Sequence, residues 1–165
     1  MQYLHAHWRI NYVKISKGGR KSPFLRALRA KNRREALLLY KGPCSFALLN
    51  RYPYNPGHML ALPFREVEQL HELSEEERTD LWRTIFLCEE VLRSVMDPQG
   101  FNIGFNLGSA AGAGIPKHLH CHVVPRWERD TNFMPVIGAM KVIPQALLSL
   151  YDQLLPCFKE REGKE

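Results

Sequence analysis

The sequence lacks the features of membrane and disulfide-bonded proteins. Among its 165 residues, no apolar run approaches the roughly 18 that a membrane span needs. The N-terminal MQYLHAHWR contains no apolar signal-peptide core. The cysteines include no Cys-X-X-Cys pair, which favours reduced, buried thiols over a disulfide framework. We therefore expect a cytoplasmic protein. The cysteines are Cys44, Cys88, Cys121 and Cys157.

Acidic residues are missing from one segment. Between Lys14 and Arg34 there are nine Lys or Arg and no Asp or Glu, whereas the remainder carries 14 basic and 17 acidic residues. The formal net charge of +6 therefore comes from this segment. We interpret this basic segment as a solvated surface stretch. The alternative is that it attracts the phosphates of a nucleotide or of nucleic acid. We expect neither nucleic acid nor a membrane as a partner.

The apolar segments that are present predict a single α+β domain. Short apolar segments that return through turns, together with one long helix, favour a five-stranded antiparallel sheet with helices on one face. The predicted strands are Glu35–Lys41, Ser45–Asn50, His58–Pro63, Phe101–Leu107 and His118–Val124.

Three segments predict helices. The long one begins with a capping box, Ser74-Glu-Glu-Glu77, and has an apolar stripe from Leu81 to Val95 at spacings of four and three. Asp97-Pro98 ends it. A short C-terminal helix is predicted at Pro144–Leu155, and another short helix near Phe24–Ala30 in the basic segment.

Histidines occupy every second position of one predicted strand. Alternate side chains share a face, so His118, His120 and His122 should form a row while Leu119 and Cys121 face the core. That placement argues against a Cys121 thiolate as nucleophile. A purely structural role and a metal site are the alternatives, and a metal would need further ligands from elsewhere.

A glycine-rich segment precedes the histidines. Asn106-Leu-Gly-Ser-Ala-Ala-Gly-Ala-Gly114 has little side-chain bulk, which lets backbone N–H groups approach a ligand closely. Such a turn leading into a histidine row predicts a phosphate-binding site.

These motifs together resemble the histidine-triad (HIT) family of nucleotidyl hydrolases and transferases. The pattern His-X-His-X-His with apolar residues between is typical of that family. The likeness is closest to the branch that includes fragile histidine-triad hydrolases and bacterial diadenosine tetraphosphate phosphorylases. It also covers Ser45–Asn50, Tyr52–His58, Phe101–Gly112, Val124–Trp127 and Asp130–Met134.

The resemblance implies a reaction. His120 would attack the α-phosphorus of a dinucleoside polyphosphate, such as diadenosine tetraphosphate, and form a nucleotidyl-histidine that water or phosphate then resolves. His118 and His122 would contact the non-bridging oxygens. A nucleotide-binding signalling module with little turnover and a hydrolase of nucleoside phosphoramidates are the alternatives.

The resemblance also implies binding residues and partners. Asn50 would bind the ribose, and His58 would support this pocket. Leu48 and Leu60 would contact the base, with ordinary core packing as the alternative for both leucines. A homodimer is expected, with no tightly bound cofactor; a divalent cation would be one carried with the nucleotide. The phosphates would meet Asn106, Gly108, Gly112, Ala113 and Gly114.

The sequence departs from its relatives at three places. Where many bacterial members have zinc-binding Cys-X-X-Cys and His, this chain has Ser22-Pro-Phe-Leu25 and Glu66, so we expect no metal site. Gly114 stands where a Ser or Thr is frequent, and Trp-X-Gly-Asp is Trp127-Glu-Arg-Asp130. These changes concern the phosphate and leaving-group side.

The chain is predicted to divide into three parts. A basic N-terminal extension occupies 1–35, a HIT domain 36–155 and a C-terminal tail 156–165.

Overall fold

The computed structural model describes residues 22–130 and 146–162. Five strands form one antiparallel sheet in the order β1-β2-β3-β5-β4. The α+β class and the five-stranded sheet are thus confirmed. The strands are β1 Leu38–Lys41, β2 Ser45–Leu49, β3 Met59–Pro63, β4 Gly100–Phe105 and β5 Cys121–Arg126. The helices are α1 Pro23–Leu28, α2 Glu75–Met96 and α3 Leu147–Glu162, with a short 3-10 helix at Leu70–Glu72.

The long helix α2 begins and ends as its sequence predicts. The Ser74 side chain accepts from the Glu77 N–H at 3.1 Å, and the Glu77 carboxylate accepts from the Ser74 N–H at 2.8 Å. Asp97 takes a left-handed conformation at the C-terminal end. The apolar stripe from Leu81 to Leu92 is buried against the sheet. Local signals therefore suffice to define this helix.

The C-terminal helix α3 extends further than predicted. It continues through Pro156 to Glu162, past the expected end at Leu155. Burial explains the extension, because Phe158 is fully buried and its ring packs 6.1 Å from that of Tyr40. The predicted first turn at Pro144 lies outside the described residues. The limits of the three predicted parts stay a prediction.

The strand that carries the histidines was predicted three residues too early. β5 begins at Cys121 rather than His118, and it continues past Pro125 to Arg126. Its pairing with β3 covers only Cys121 to Val123. Before it, the Leu119 N–H bonds to the Val67 carbonyl at 2.7 Å, which draws the chain away from β3. Pro125 lies beyond the β3 pairing and is opposite β4 alone, so the N–H that it lacks is tolerated there.

The sheet separates two apolar cores. α2 and α3 cover the larger core on one face. A smaller core on the other face includes residues from α1 and from the first three strands. Its buried members are Phe24, Leu38, Phe46, Leu48, Leu60 and Leu62. The histidines lie on this second face. Within 22–130 and 146–162, no helix is both long and apolar enough to cross a membrane.

Gly57, which precedes His58, should tolerate no side chain. It has φ +78°, and a Cβ there would lie 2.7 Å from the Met96 sulfur and 3.0 Å from Pro125. Gly108 has φ +79° but open space around it. We expect Gly57→Ala to lower the free energy of unfolding by about 2–4 kcal/mol, from strain plus overpacking. Gly108→Ala should cost about 1 kcal/mol from backbone strain alone. Urea denaturation of both variants tests this, and equal losses would contradict it.

Candidate active site

The structure brings four imidazoles into one row. His118 and His120 lie on the second face of the sheet although they precede β5, while Leu119 and Cys121 enter the larger core. The ring centroids of His120 and His122 are 5.1 Å apart, and His58 adds a fourth ring 5.1 Å from His122. The side chains therefore alternate as predicted.

His120 is held in one tautomer. Its Nδ1–H donates to the carbonyl of His118 at 2.8 Å, which leaves the lone pair on Nε2. No described residue hydrogen-bonds that Nε2. The residue is only 6% exposed, and this burial lowers the pKa of His120, while the hydrogen bond to the carbonyl opposes the shift. His120 is therefore neutral at neutral pH, with a nucleophilic nitrogen.

His118 is bonded at both ring nitrogens to protein groups. Its Nε2 donates to the Pro63 carbonyl at 2.8 Å, and its Nδ1 lies 2.9 Å from the Ser22 hydroxyl. The side chain is fully buried, and this burial lowers the pKa of His118. Contact of His118 with phosphate oxygens stays a prediction, and it would require one of these bonds to break.

His58 and His122 form a directional chain of hydrogen bonds. The Tyr54 N–H donates to His58 Nδ1 at 3.0 Å, so the proton of neutral His58 is on Nε2. That Nε2 donates to His122 Nδ1 at 2.9 Å, which places the His122 proton on its own Nε2. The Asn106 side-chain amide nitrogen lies 3.3 Å from this Nε2, and because two donors cannot bond each other, the amide must turn its oxygen towards His122 to accept the Nε2–H. His122 and Asn106 thus present hydrogen-bonding groups side by side.

Tyr54 covers part of the histidine row. Its ring is 5.6 Å from that of His122, with 17° between the planes, and 4.6 Å from that of His58. The next residue, Asn55, donates from its amide to the Pro125 carbonyl at 3.1 Å. The proline-rich loop is thereby fixed to β5.

Asp130 holds the turn that follows β5. It accepts two hydrogen bonds from Arg126 at 2.6 and 2.8 Å and one from the Asn55 amide at 2.7 Å. The Arg126 guanidinium lowers the pKa of the Asp130 carboxyl far below its usual range. Arg129 has φ +63°, a conformation that explains the glycine of the related Trp-X-Gly-Asp pattern.

A cavity of about 410 Å³ opens beside His122. Of the predicted site residues, Asn106 and His122 line it, and His118 and His120 do not. Its lining residues are Tyr54, Asn55, Asn102, Ile103, Gly104, Phe105, Asn106, His122, Val124 and Arg126.

The glycine-rich segment forms a self-bonded turn. Gly108 and Gly112 both have positive φ, as their lack of a side chain allows. The Gly112 N–H donates to the Ser109 carbonyl at 3.0 Å, and the Ala113 N–H to the Gly108 carbonyl at 3.3 Å. Phosphate binding by this segment, including Gly114, stays a prediction.

The predicted nucleoside residues lie near the row but outside the cavity. Leu48, Leu60 and His122 occupy one register line across the sheet, and both leucines are about 5% exposed within the smaller core. The Asn50 side-chain oxygen Oδ1 accepts from the Tyr52 N–H at 2.9 Å, and the side-chain nitrogen Nδ2 lies 3.4 Å from His58 Nδ1. Base and ribose contacts stay predictions.

In the described part of the chain, the positions that match the relatives' zinc ligands do not form a metal site. Ser22 and Glu66, at the positions where relatives have zinc ligands, are hydrogen-bonded to each other, the Ser22 N–H donating to the carboxylate at 3.0 Å. Within the described ranges, no group of three or more His, Cys, Asp or Glu could hold a metal ion. Burial raises the pKa of Cys121 to about 12, so it stays a thiol.

Comparison with known proteins identifies the family. The model of the HIT domain matches residues 31–129, and the chain therefore belongs to the HIT family. Over 113 residues it is 46% identical to an AP-4-A phosphorylase of Mycobacterium tuberculosis, covering 68% of this chain and 58% of that protein. Over 93 residues it is 36% identical to an asymmetrical bis(5'-nucleosyl)-tetraphosphatase of Schizosaccharomyces pombe, covering 56% and 50%. The chain thus spans about half the length of these relatives.

Solved structures share the fold. A hypothetical histidine triad nucleotide-binding protein from Sulfolobus tokodaii has a TM-score of 0.64 at 23% identity, covering 87% of this chain and 93% of that one. A zinc-bound histidine triad family protein from Mycobacterium smegmatis has a TM-score of 0.62 at 21% identity, covering 78% and 88%.

Three contributors to the site were not among the predicted site residues, although the family resemblance covers the segments that contain them. They are Tyr54, Ser22 and Asp130. Tyr54 lies four residues before the predicted His58, in the same loop. This short separation in sequence could have indicated Tyr54 as a site residue. Ser22-Pro23 has the signature of a helix start, but no local signal connects it with a histidine 96 residues away.

Asp130→Asn should loosen the loop that carries Tyr54. We expect a loss of about 1 kcal/mol in the free energy of unfolding, because solvent screens the partly exposed Arg126. Since the pKa of Asp130 is lowered on folding, its stabilisation is present above about pH 4 and is lost as the pH falls towards the folded-state value. The variant should lack this component of acid sensitivity in thermal melts from pH 7 to pH 3.

Asp152→Asn is the matched control, because Asp152 also accepts two hydrogen bonds from an arginine, Arg34, and lies on α3, which covers the face of the sheet opposite the histidines. The control should lose stability and keep the wild-type nucleotide affinity. Asp130→Asn should lose stability and also weaken nucleotide affinity. Equal affinity of both variants would contradict the assignment.

Proposed function

We propose that the chain is a nucleotidyl hydrolase or transferase that cleaves dinucleoside polyphosphates at the α-phosphate. The observation that carries this proposal is the tautomer of His120, whose Nδ1–H is bound to a carbonyl and whose Nε2 is unprotonated. A buried neutral imidazole in this state is a competent nucleophile at neutral pH.

The reaction proceeds in two displacements. His120 Nε2 attacks the α-phosphorus, a P–N bond forms, and the bond to the bridging oxygen breaks, so the remaining polyphosphate leaves with that oxygen. Water or inorganic phosphate then attacks the same phosphorus and breaks the P–N bond. Two moderate barriers replace one high barrier.

His122 and Asn106 would meet the phosphate oxygens. Both line the cavity, and the hydrogen-bond chain from Tyr54 through His58 leaves the His122 proton on Nε2, beside the Asn106 side chain. A donor aimed at oxygens on which charge accumulates lowers the barrier. Asn106 and the glycines of 108–114 would extend this set along the polyphosphate, and Leu48, Leu60 and Asn50 would contact the nucleoside.

Dinucleoside polyphosphates are the proposed substrates because of the relatives' names, a phosphorylase of AP-4-A and a tetraphosphatase. The 46% identity to the phosphorylase favours phosphate over water as acceptor. No tightly bound cofactor enters this scheme, and any divalent cation would arrive with the nucleotide. Four free cysteines are consistent with a reducing compartment such as the cytoplasm.

Diadenosine tetraphosphate incubated with and without phosphate tests the function. ADP plus ATP indicates phosphorolysis, and AMP plus ATP indicates hydrolysis. His120→Asn should lower the rate by at least roughly 10³-fold, while His71→Asn, a change at an exposed histidine, should leave it unchanged. Full activity of His120→Asn would eliminate the nucleophile, and tight binding without product would indicate a binding module.

We also propose a homodimer that continues the sheet through β4. This strand lies at the sheet edge, with Asn102, Ile103 and Gly104 exposed. A charge on an edge strand opposes further pairing, so Ile103→Lys should yield monomers in light scattering. Leu70→Lys is the control, because Leu70 is 40% exposed against 39% for Ile103 and lies in the 3-10 helix. A dimer that survives Ile103→Lys would contradict this interface.

A further inference from the structure

The start of α1 is bonded directly to the first histidine of the row. Ser22 caps this helix, with its Oγ accepting from the Phe24 N–H at 3.2 Å, and the same Oγ lies 2.9 Å from His118 Nδ1. The Ser22 N–H is held in turn by the Glu66 carboxylate at 3.0 Å. Ser22 is only 5% exposed.

The direction of each bond follows from the groups that take part. The Pro63 carbonyl can only accept, so His118 Nε2 carries the proton and Nδ1 must accept. The Ser22 hydroxyl already accepts from Phe24, and its own proton therefore points to Nδ1. His118 is thus fixed at both ends of its ring, by Ser22 on one side and by β3 on the other.

Fixing this ring also fixes the backbone of His118. Its carbonyl is the group that accepts the Nδ1–H of His120 at 2.8 Å. This carbonyl lies outside β5, where no sheet pairing holds it in place. Its position depends on the bonds of the flanking residues and on the anchored His118 side chain.

We propose that Ser22 is a positioning residue for the nucleophile. It acts through His118, whose carbonyl holds His120 in the tautomer with a free Nε2 lone pair. Phe24, two residues along α1, contributes to the same arrangement, because its ring packs 5.6 Å from that of His118 and 5.3 Å from that of His120. The expected kinetic effect rests on the proposed function, whereas the hydrogen-bond geometry does not depend on it.

Ser22→Ala tests the proposal by kinetics with diadenosine tetraphosphate. Loss of the hydroxyl should lower kcat about tenfold or more, because small displacements of a reacting group are costly, with KM changed less than about twofold since the substrate contacts persist. Ser22→Thr retains the hydroxyl and should recover most of the activity. Ser74→Ala is the matched control, because it removes a helix-capping serine remote from the histidines; it should keep the wild-type kcat.

Imidazole ¹⁵N NMR supplies a readout that does not depend on turnover. Wild-type protein should show His118 protonated at Nε2 and His120 protonated at Nδ1. In Ser22→Ala the His120 signals should move towards a mixture of tautomers, whereas Ser74→Ala should retain the wild-type pattern.

A milder pair of variants covers the case in which Ser22→Ala does not fold. Glu66→Ala removes the acceptor of the Ser22 N–H from an exposed side chain and should lower kcat in the same direction, while Glu66→Gln retains an acceptor and should restore it. Unchanged kcat and tautomers in Ser22→Ala, or in Glu66→Ala if the former is unfolded, would overturn the proposal. If wild-type protein shows no turnover, the proposed function fails, and the NMR comparison still decides the role of Ser22.

Discussion

One hydrogen bond, from His120 Nδ1 to the carbonyl of His118, determines what the site can do. It selects the nitrogen that bears the lone pair, and burial keeps that nitrogen unprotonated. The bond exists because residues 118–120 are not in the sheet. In a regular ladder the carbonyl would be directed to a neighbouring strand, whereas here it is available to the ring two residues on.

The sequence predicted the face of the sheet on which each histidine lies better than it predicted where the strand begins to pair. Alternation alone decides which face a side chain takes, so the histidines were placed correctly even where the strand was not. The point at which β5 begins depends on Val67 and Pro63, which lie far away in the chain and bond to Leu119 and His118. Similarly, α2 was predictable because its capping box is local, and the extension of α3 was not, because the burial of Phe158 is a tertiary effect.

The contributors that escaped prediction share long sequence separations. Ser22 reaches His118 across 96 residues, and Asn55 reaches Asp130 across 75. Each is a common polar residue in a loop or at a helix start, a position where local hydrogen bonding is the ordinary explanation. Only the fold shows that these polar groups contact the histidine row. Alternation places His118, His120 and His122 on one face and the family resemblance adds His58, but neither predicts the contacts that fix their tautomers.

The two ends of the row have different environments. At one end, Ser22, Phe24 and the Pro63 carbonyl enclose His118, and nearby His120 is almost as buried. At the other end, His122 and Asn106 face an open cavity. A nucleophile gains reactivity when water is excluded, whereas a polyphosphate must enter and leave. Burial lowers the pKa of His118 and of His120, so the buried end of the row stays neutral. In the proposed reaction, the order of the row would thus separate attack from the handling of phosphate charge.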